Sequence, residues 1–137
     1  YNTDAWDGYP KERERLFKEL KKANSILVLT GDTHNSWLNN LYDKNNNFVG
    51  IEIGTPAISS PNTIDTFGSL TDGIEQGFIK ENKNVKWTEG KHKGYTLLKL
   101  TNDKSEVNFV YVNTVKSKTY EVIDTNKFNV KPNLPII

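Results

Sequence analysis

The 137-residue sequence has no cysteine, no methionine and only two histidines, His34 and His92. Without cysteine there is no disulfide scaffold, no zinc ribbon and no thiol nucleophile. Strong charge of either sign is also missing, the formal net charge being +1 at pH 7. That excludes a strongly basic nucleic-acid binder held by phosphate neutralisation alone and an acidic disordered tail, so no nucleic-acid-binding surface is expected. No run approaches the ~18 consecutive apolar residues of a membrane span. Internal repeats and low-complexity linkers are absent. Because the chain opens on Tyr1 and contains no Met, Tyr1 is expected to be internal to a longer polypeptide.

What the chain does contain is an apolar share of 35% that includes 11% aromatics, enough for one core. Its length suits one domain or a piece of a larger one. Residues 1 to 9 read as an irregular loop. Pro10 then opens a helix, with Glu12 and Glu14 early, Lys18, Lys21 and Lys22 late, an apolar stripe of Leu16, Phe17, Leu20 and Ala23, and a stop at Asn24. Ile26 to Thr30 is a short apolar run, expected as a central strand covered on both faces. Ser36 to Tyr42 reads as a short helix, Phe48 to Gly54 as a strand, and Thr55 to Thr66 as a long loop. Leu70 to Glu81 reads as a helix with Ile74, Phe78 and Ile79 inward. Strands are expected at Val85 to Trp87, Gly94 to Leu100, Glu106 to Asn113 and Lys118 to Ile123, with a hairpin turn at Asn102 to Ser105. The tail from Lys127 should run along the surface or pack on a neighbour. This order gives an α/β or α+β fold with a substantial antiparallel part.

The sharpest local signal is Gly31-Asp32-Thr33-His34, at the end of an apolar strand, where α/β folds keep their chemistry. A carboxylate and an imidazole two residues apart on an extended segment can reach one cation. They can equally be a turn cap and a hydrogen-bonded histidine, and two ligands are too few for a catalytic metal. Gly31 would leave room for a close turn. Trp37 either walls such a site or packs in the core. Asp4 and Asp7 flank Trp6 and can serve as ligands or as hydrogen-bond acceptors; alternatively Asp7 caps the following helix. Tyr9 offers a hydroxyl for a bound oxyanion or a staple beside the helix start. Ser59 and Ser60 lack a Gly-x-Ser-x-Gly elbow, and His92 is expected in an exposed turn.

Four blocks then occur in order: Asp4-Ala5-Trp6-Asp7-Gly8-Tyr9 with Pro10 and Glu12 to Leu16; Leu29-Thr30-Gly31-Asp32-Thr33-His34-Asn35-Ser36-Trp37; Gly54-Thr55-Pro56-Ala57-Ile58-Ser59-Ser60; and His92-Lys93-Gly94-Tyr95 with the strands running to Val115. Together they span about residues 2 to 115 and resemble the PhoD-like alkaline phosphatases and phosphodiesterases, of the calcineurin-like metallophosphoesterase superfamily. The resemblance implies that residues 1–137 are the C-terminal part of a single metallophosphoesterase domain. Its fold class would be α/β (α+β), half of a four-layer αββα sandwich with a mixed sheet and an antiparallel meander.

In activity the resemblance implies metal-dependent hydrolysis of phosphate mono- or diesters, with iron(III) and calcium as cofactors. Gly-Asp-x-His stands where other members of the superfamily carry Gly-His-x-His. Asp32 and His34 should therefore each ligate a metal, His34 at the iron-like site and Asp32 beside it. Asp4 matches an acidic position close to the metals. The family's upstream ligands have no counterpart in this chain. The N-terminal half of the same polypeptide is the expected partner that supplies them, and the isolated chain is expected to be inactive. Such enzymes are typically exported, so an extracytoplasmic location is expected. The rival reading is a β-rich glycan- or protein-binding module that stacks ligand on exposed Trp6, Trp37 and Trp87.

Overall fold

The computed structural model describes residues 4–137, all side chains included except that of Asp124. Residues 1–3, the start of the expected N-terminal loop, lie outside the described residues. A 3-10 turn at Trp6–Gly8 leads into helix α1 (Pro10–Leu20). Strands β1 (Leu27–Thr30), β2 (Ser36–Tyr42) and β3 (Phe48–Gly54) follow, then helices α2 (Thr63–Phe67) and α3 (Thr71–Glu81). The chain ends with β4 (Val85–Glu89), β5 (Lys93–Leu100), β6 (Ser105–Val112) and β7 (Val122–Val130).

The strands form two sheets. The first is mixed, in the order β1-β3-β2-β4, with β1 parallel to β3 and the other pairs antiparallel. The second is the antiparallel meander β5-β6-β7. They face each other across a core of Leu38, Ile51, Ile53, Val107, Phe109, Tyr111 and Val130. The Trp87 ring centroid lies 4.8 Å from Phe109 and 5.0 Å from Phe128, so β4 is fastened to the meander by three aromatics. A smaller core, Phe17, Ile26 and Val49 with Leu20, Val28 and Leu41, seats α1 on the outer face of the mixed sheet. On the same face α3 brings Phe78 edge-on to Trp37, at 5.3 Å. Helices, mixed sheet and meander are thus stacked layers of an α/β fold.

Several elements depart from the sequence reading. Ser36 to Tyr42 is a strand, not a helix, with alternating burial of Ser36, Leu38 and Asn40. The asparagines disguised it: Asn40 is buried, yet its Nδ2 donates to the Ile136 carbonyl at 2.8 Å and its Oδ1 accepts from the Ile136 N–H at 2.9 Å. That side chain acts as a strand partner and draws the C-terminal tail onto the sheet. Among the described residues the run Ile26 to Thr30 lies at a sheet edge, where the expectation was a central strand; β1 pairs there with β3 alone, and Leu29 is 65% exposed. Helix α1 ends at Leu20, before Asn24, because Lys22 and Ala23 tighten into i→i+3 bonds to Glu19 and Leu20. Phe78 is 37% exposed, and the positions α3 buries are Thr71 and Glu75. The last strand runs over Val122–Val130 rather than Lys118 to Ile123, so the tail leaves the sheet only after Val130. Within Thr55 to Thr66 the loop gives way to α2 at Thr63, through an Asn62–Asp65 capping box.

Candidate functional site

The loop Gly31–Asn35 leaves the C-terminal end of the edge strand β1. Thr55 N–H bonds the Thr30 carbonyl at 2.9 Å and Ala57 N–H bonds the His34 carbonyl at 3.1 Å. The segment after β3 therefore runs alongside this loop. Inside the loop, Thr33 N–H closes on the Gly31 carbonyl at 2.9 Å, and the Trp37 indole donates to Thr33 Oγ1 at 2.8 Å. Trp37 thus braces the loop through Thr33 and packs on Phe78, rather than holding the His34 ring.

Both candidate ligands have left-handed backbone, φ being 70° at Asp32 and 65° at His34. Non-glycine residues rarely adopt that region, and such strain collects at functional sites. The strained conformation does not fall on Gly31, where an added Cβ would meet only Thr55 Cγ2 at 3.7 Å. Asp32 is exposed. His34 is half-buried, and its Nδ1 lies 2.6 Å from the carbonyl oxygen of Pro61. A carbonyl oxygen only accepts, so Nδ1 is the donor in this contact, and Nε2 is the ring nitrogen left to face a ligand. This is the orientation that metal-ligating histidines take when a neighbouring acceptor fixes their tautomer. Among the described residues no group of three or more His, Cys, Asp or Glu is gathered to hold a metal ion, so Asp32 and His34 by themselves do not make a metal centre.

Beside this loop, Asn35 is buried. Its Nδ2 donates to Thr63 Oγ1 at 2.6 Å and its Oδ1 accepts from Thr63 N–H at 3.3 Å. Gly90 lies against the same amide, so that a Cβ there would come within 2.7 Å of it. Gly90 N–H donates to Glu75 Oε1 at 2.6 Å, and burial raises the Glu75 carboxyl above its ordinary range. Gly94 N–H in turn donates to the Ala57 carbonyl at 3.0 Å, which hangs the Thr55–Asn62 loop on the meander.

Around the turn from β4 to β5, His92 Nδ1 lies 2.8 Å from Oε1 of buried Glu89, and its ring packs on Tyr111 at 5.4 Å. Asn62 Nδ2 donates to the His92 carbonyl at 3.0 Å, and Lys93 donates to Asn62 Oδ1 at 2.7 Å while pairing with Asp65. The Lys93 hydrogen bond, followed by that of the Asn62 N–H, holds the Asp65 carboxyl below its ordinary range. The hydrogen bond that the Lys91 ammonium donates to Asp72 raises Lys91 above its ordinary range. His92 is therefore half-buried and held by Glu89 and Tyr111, where an exposed turn was expected. Glu89, three residues before it, was the signal in the sequence.

The N-terminal candidates flank the 3-10 turn that precedes α1. Asp4 is exposed ahead of the 3-10 turn. Tyr9 is the residue before α1, with its carbonyl accepting from Arg13 N–H at 2.9 Å and its side chain 58% exposed. Asp7 makes no helix cap; it pairs with Arg13 at 2.7 Å. Trp6 and Asp7 line a groove against the outer face of the mixed sheet, where Glu52 accepts from Thr30 and Asn39.

The sequence itself carries the PhoD-like phosphatase pattern across residues 1–109. This chain belongs to the PhoD-like phosphatase family. It is 37% identical over 108 residues to alkaline phosphatase D of Bacillus subtilis (strain 168), a match that covers 74% of this chain and 18% of that protein. Among solved structures it is similar to one titled "Structure of PhoD", with a TM-score of 0.71 and 25% identity, over 96% of this chain and 27% of the other. The chain therefore spans well under half the length of the PhoD relatives it matches. Agreement over 96% of the chain makes the two-sheet architecture that of the corresponding part of a PhoD fold. Of the three tryptophans of the rival binding module, Trp87 is bound up with Phe109 and Phe128 and Trp37 with Phe78 and Thr33, while Trp6 is 53% exposed.

Proposed function

We propose that this chain supplies part of the active site of a metal-dependent phosphate-ester hydrolase, the whole enzyme acting on phosphomonoesters or phosphodiesters. The observation that carries the reading is the His34 ring held through Nδ1, next to a carboxylate on the same strained loop. His34 would present Nε2 to a cation and Asp32 would present a carboxylate oxygen, a borderline and a hard donor together. That pair suits iron(III) with calcium, the ions the family resemblance implies. Bound cations would supply Lewis-acid activation of water and neutralise charge on the phosphoryl oxygens.

The chain's own residues do the holding. Pro61 fixes the His34 ring, Trp37 and Thr33 hold the loop shut, and Asn35 ties it to the start of α2. Asp4 is proposed as an acidic neighbour of the cations, and Tyr9 as a hydroxyl donor to a bound oxyanion. The remaining ligands would come from a preceding portion of the same polypeptide, with which these 137 residues form one domain. An exported location fits the family.

The test is hydrolysis of a chromogenic phosphomonoester and a chromogenic phosphodiester with added iron and calcium. The expected result is turnover by a longer polypeptide carrying this chain and none by the 137 residues alone. Robust turnover by the 137 residues would overturn the shared-site reading.

A further inference from the structure

Among the described residues β1 pairs on one side only, with β3. Ile51 N–H bonds the Ile26 carbonyl at 3.1 Å and Thr55 N–H bonds the Thr30 carbonyl at 2.9 Å, so Ile26, Val28 and Thr30 turn their backbone groups to β3. Successive residues of a strand turn theirs to opposite sides, and the N–H and C=O of Leu27 and Leu29 therefore face the free edge. That edge, Leu27–Thr30, carries none of the charged residues or prolines that guard an exposed strand. The side chains agree with the backbone. Leu27 packs on the core between the sheets and Val28 on the core under α1, so Leu29 shares the face of Leu27, and yet it is exposed. Leu27 also lines an open cleft of about 860 Å³ with Leu100 and Leu134. Strands paired in parallel are ordinarily covered on both faces; the inner face of β1 is left bare at Leu29.

The path of α1 points to the occupant. Trp6 and Asp7, ahead of α1, share a groove with Thr30 at the C-terminal end of β1, whereas Phe17, late in α1, packs with Ile26, the residue before β1. Helix α1 thus runs antiparallel to β1, and the chain enters it at the end of the sheet where β1 finishes. A strand that arrives there and returns through α1 lies parallel to β1, with α1 as the crossover that a parallel pair needs. We infer that the free edge of β1 pairs with a parallel strand from the polypeptide preceding Tyr1, which covers Leu29 and makes β1 an interior strand. The chain spans 27% of the PhoD structure it resembles, which leaves ample polypeptide for such a strand. The inference rests on the proposed sharing of one domain with a preceding portion, and it names the surface where the two portions meet. Main-chain hydrogen bonds to Leu27 and Leu29 hold the added strand, and apolar side chains on its inward face select it.

The experiment is amide hydrogen exchange, resolved to single residues, on the 137-residue chain and on a longer polypeptide carrying it. In the 137-residue chain the Val28 and Thr30 amides should exchange slowly and those of Leu27 and Leu29 fast. In the longer polypeptide Leu27 and Leu29 should slow by about 100-fold or more. Leu29→Lys should leave the melting midpoint of the 137-residue chain unchanged and lower that of the longer polypeptide by about 5 °C or more. Fast exchange at Leu27 and Leu29 in the longer polypeptide, or an equal effect of Leu29→Lys in both chains, overturns the inference. Protection that arises in the 137-residue chain as its concentration rises would give the edge to a second copy and overturn it as well. Neither readout involves metal or turnover. Protection at Leu29 without hydrolysis would remove the hydrolase reading and keep the pairing; hydrolysis with Leu29 unprotected would remove the pairing alone.

Discussion

The imidazole of His34 donates through Nδ1 to the carbonyl of Pro61 at 2.6 Å, across 27 residues of sequence. Two strand ends meet in that bond. Pro61 belongs to the loop after β3, and His34 to the loop after β1, the parallel neighbour of β3. The pairing of these strands thus decides which nitrogen of His34 is available to a ligand.

Asp32 carries left-handed backbone at φ 70°. Asp32→Gly relieves that conformation but adds unfolded-state freedom. The expected change in unfolding free energy therefore runs from none to about 1 kcal/mol of stabilisation. A urea melt measures it. A loss of more than about 1 kcal/mol would mean that the Asp32 side chain itself holds the loop.

Gly94 has no room for a side chain, because a Cβ would sit 1.9 Å from the Val110 carbonyl oxygen of the neighbouring strand. Relief requires moving backbone, so Gly94→Ala should cost about 3 kcal/mol or more. It should also disturb the Gly94–Ala57 bond that carries the Thr55–Asn62 loop. Amide exchange would show protection lost first at Ala57 and along β5. A melt matching the parent chain would contradict the close approach.

Burial raises the Glu75 carboxyl while its Oε1 accepts from Gly90 N–H. A carboxyl raised on folding keeps its proton in the folded chain after the unfolded chain has lost it. Stability therefore falls as pH rises from the ordinary glutamate range through the raised folded value. Glu75→Gln keeps an acceptor for Gly90 and removes the buried charge. It should flatten this dependence and leave the chain at least as stable at pH 7.5, with little change at pH 4. Urea melts at the two pH values test it, and a variant less stable at pH 7.5 alone would contradict it.

Phe109 is fully buried between Trp87 and Phe128. Phe109→Ala should cost about 3–5 kcal/mol and release β4 from the meander, seen as a loss of near-ultraviolet dichroism. A cost below about 1 kcal/mol would mean that the facing sheets are not held through this cluster.

Much of this fold was legible in the sequence. Alternation gave β3, the Asn102–Ser105 turn gave the β5–β6 hairpin, and Pro10 with the Leu16–Phe17–Leu20 spacing gave α1. What misled was polarity in the interior. Asn39 and Asn40 made β2 look helical, because their partners, Glu52 and Ile136, lie far along the chain. The run Asp124 to Lys127 hid β7, a strand set by its register with β6 rather than by its own composition. At the site, Asp32 and His34 stood out as a motif. Pro61, Asn35 and Gly90 did not, since each acts only through a neighbour distant in sequence. The loop's strain fell on the two ligand candidates themselves, where glycine preference pointed to Gly31.

The most direct test is the metal content of a longer polypeptide carrying this chain, compared with its Asp32→Ala and His34→Ala variants, each checked for an unchanged melt. Bound metal is expected to fall in both, with turnover of a phosphate ester reduced by more than about 100-fold. Unchanged metal stoichiometry with retained turnover would contradict the assignment of Asp32 and His34 as ligands.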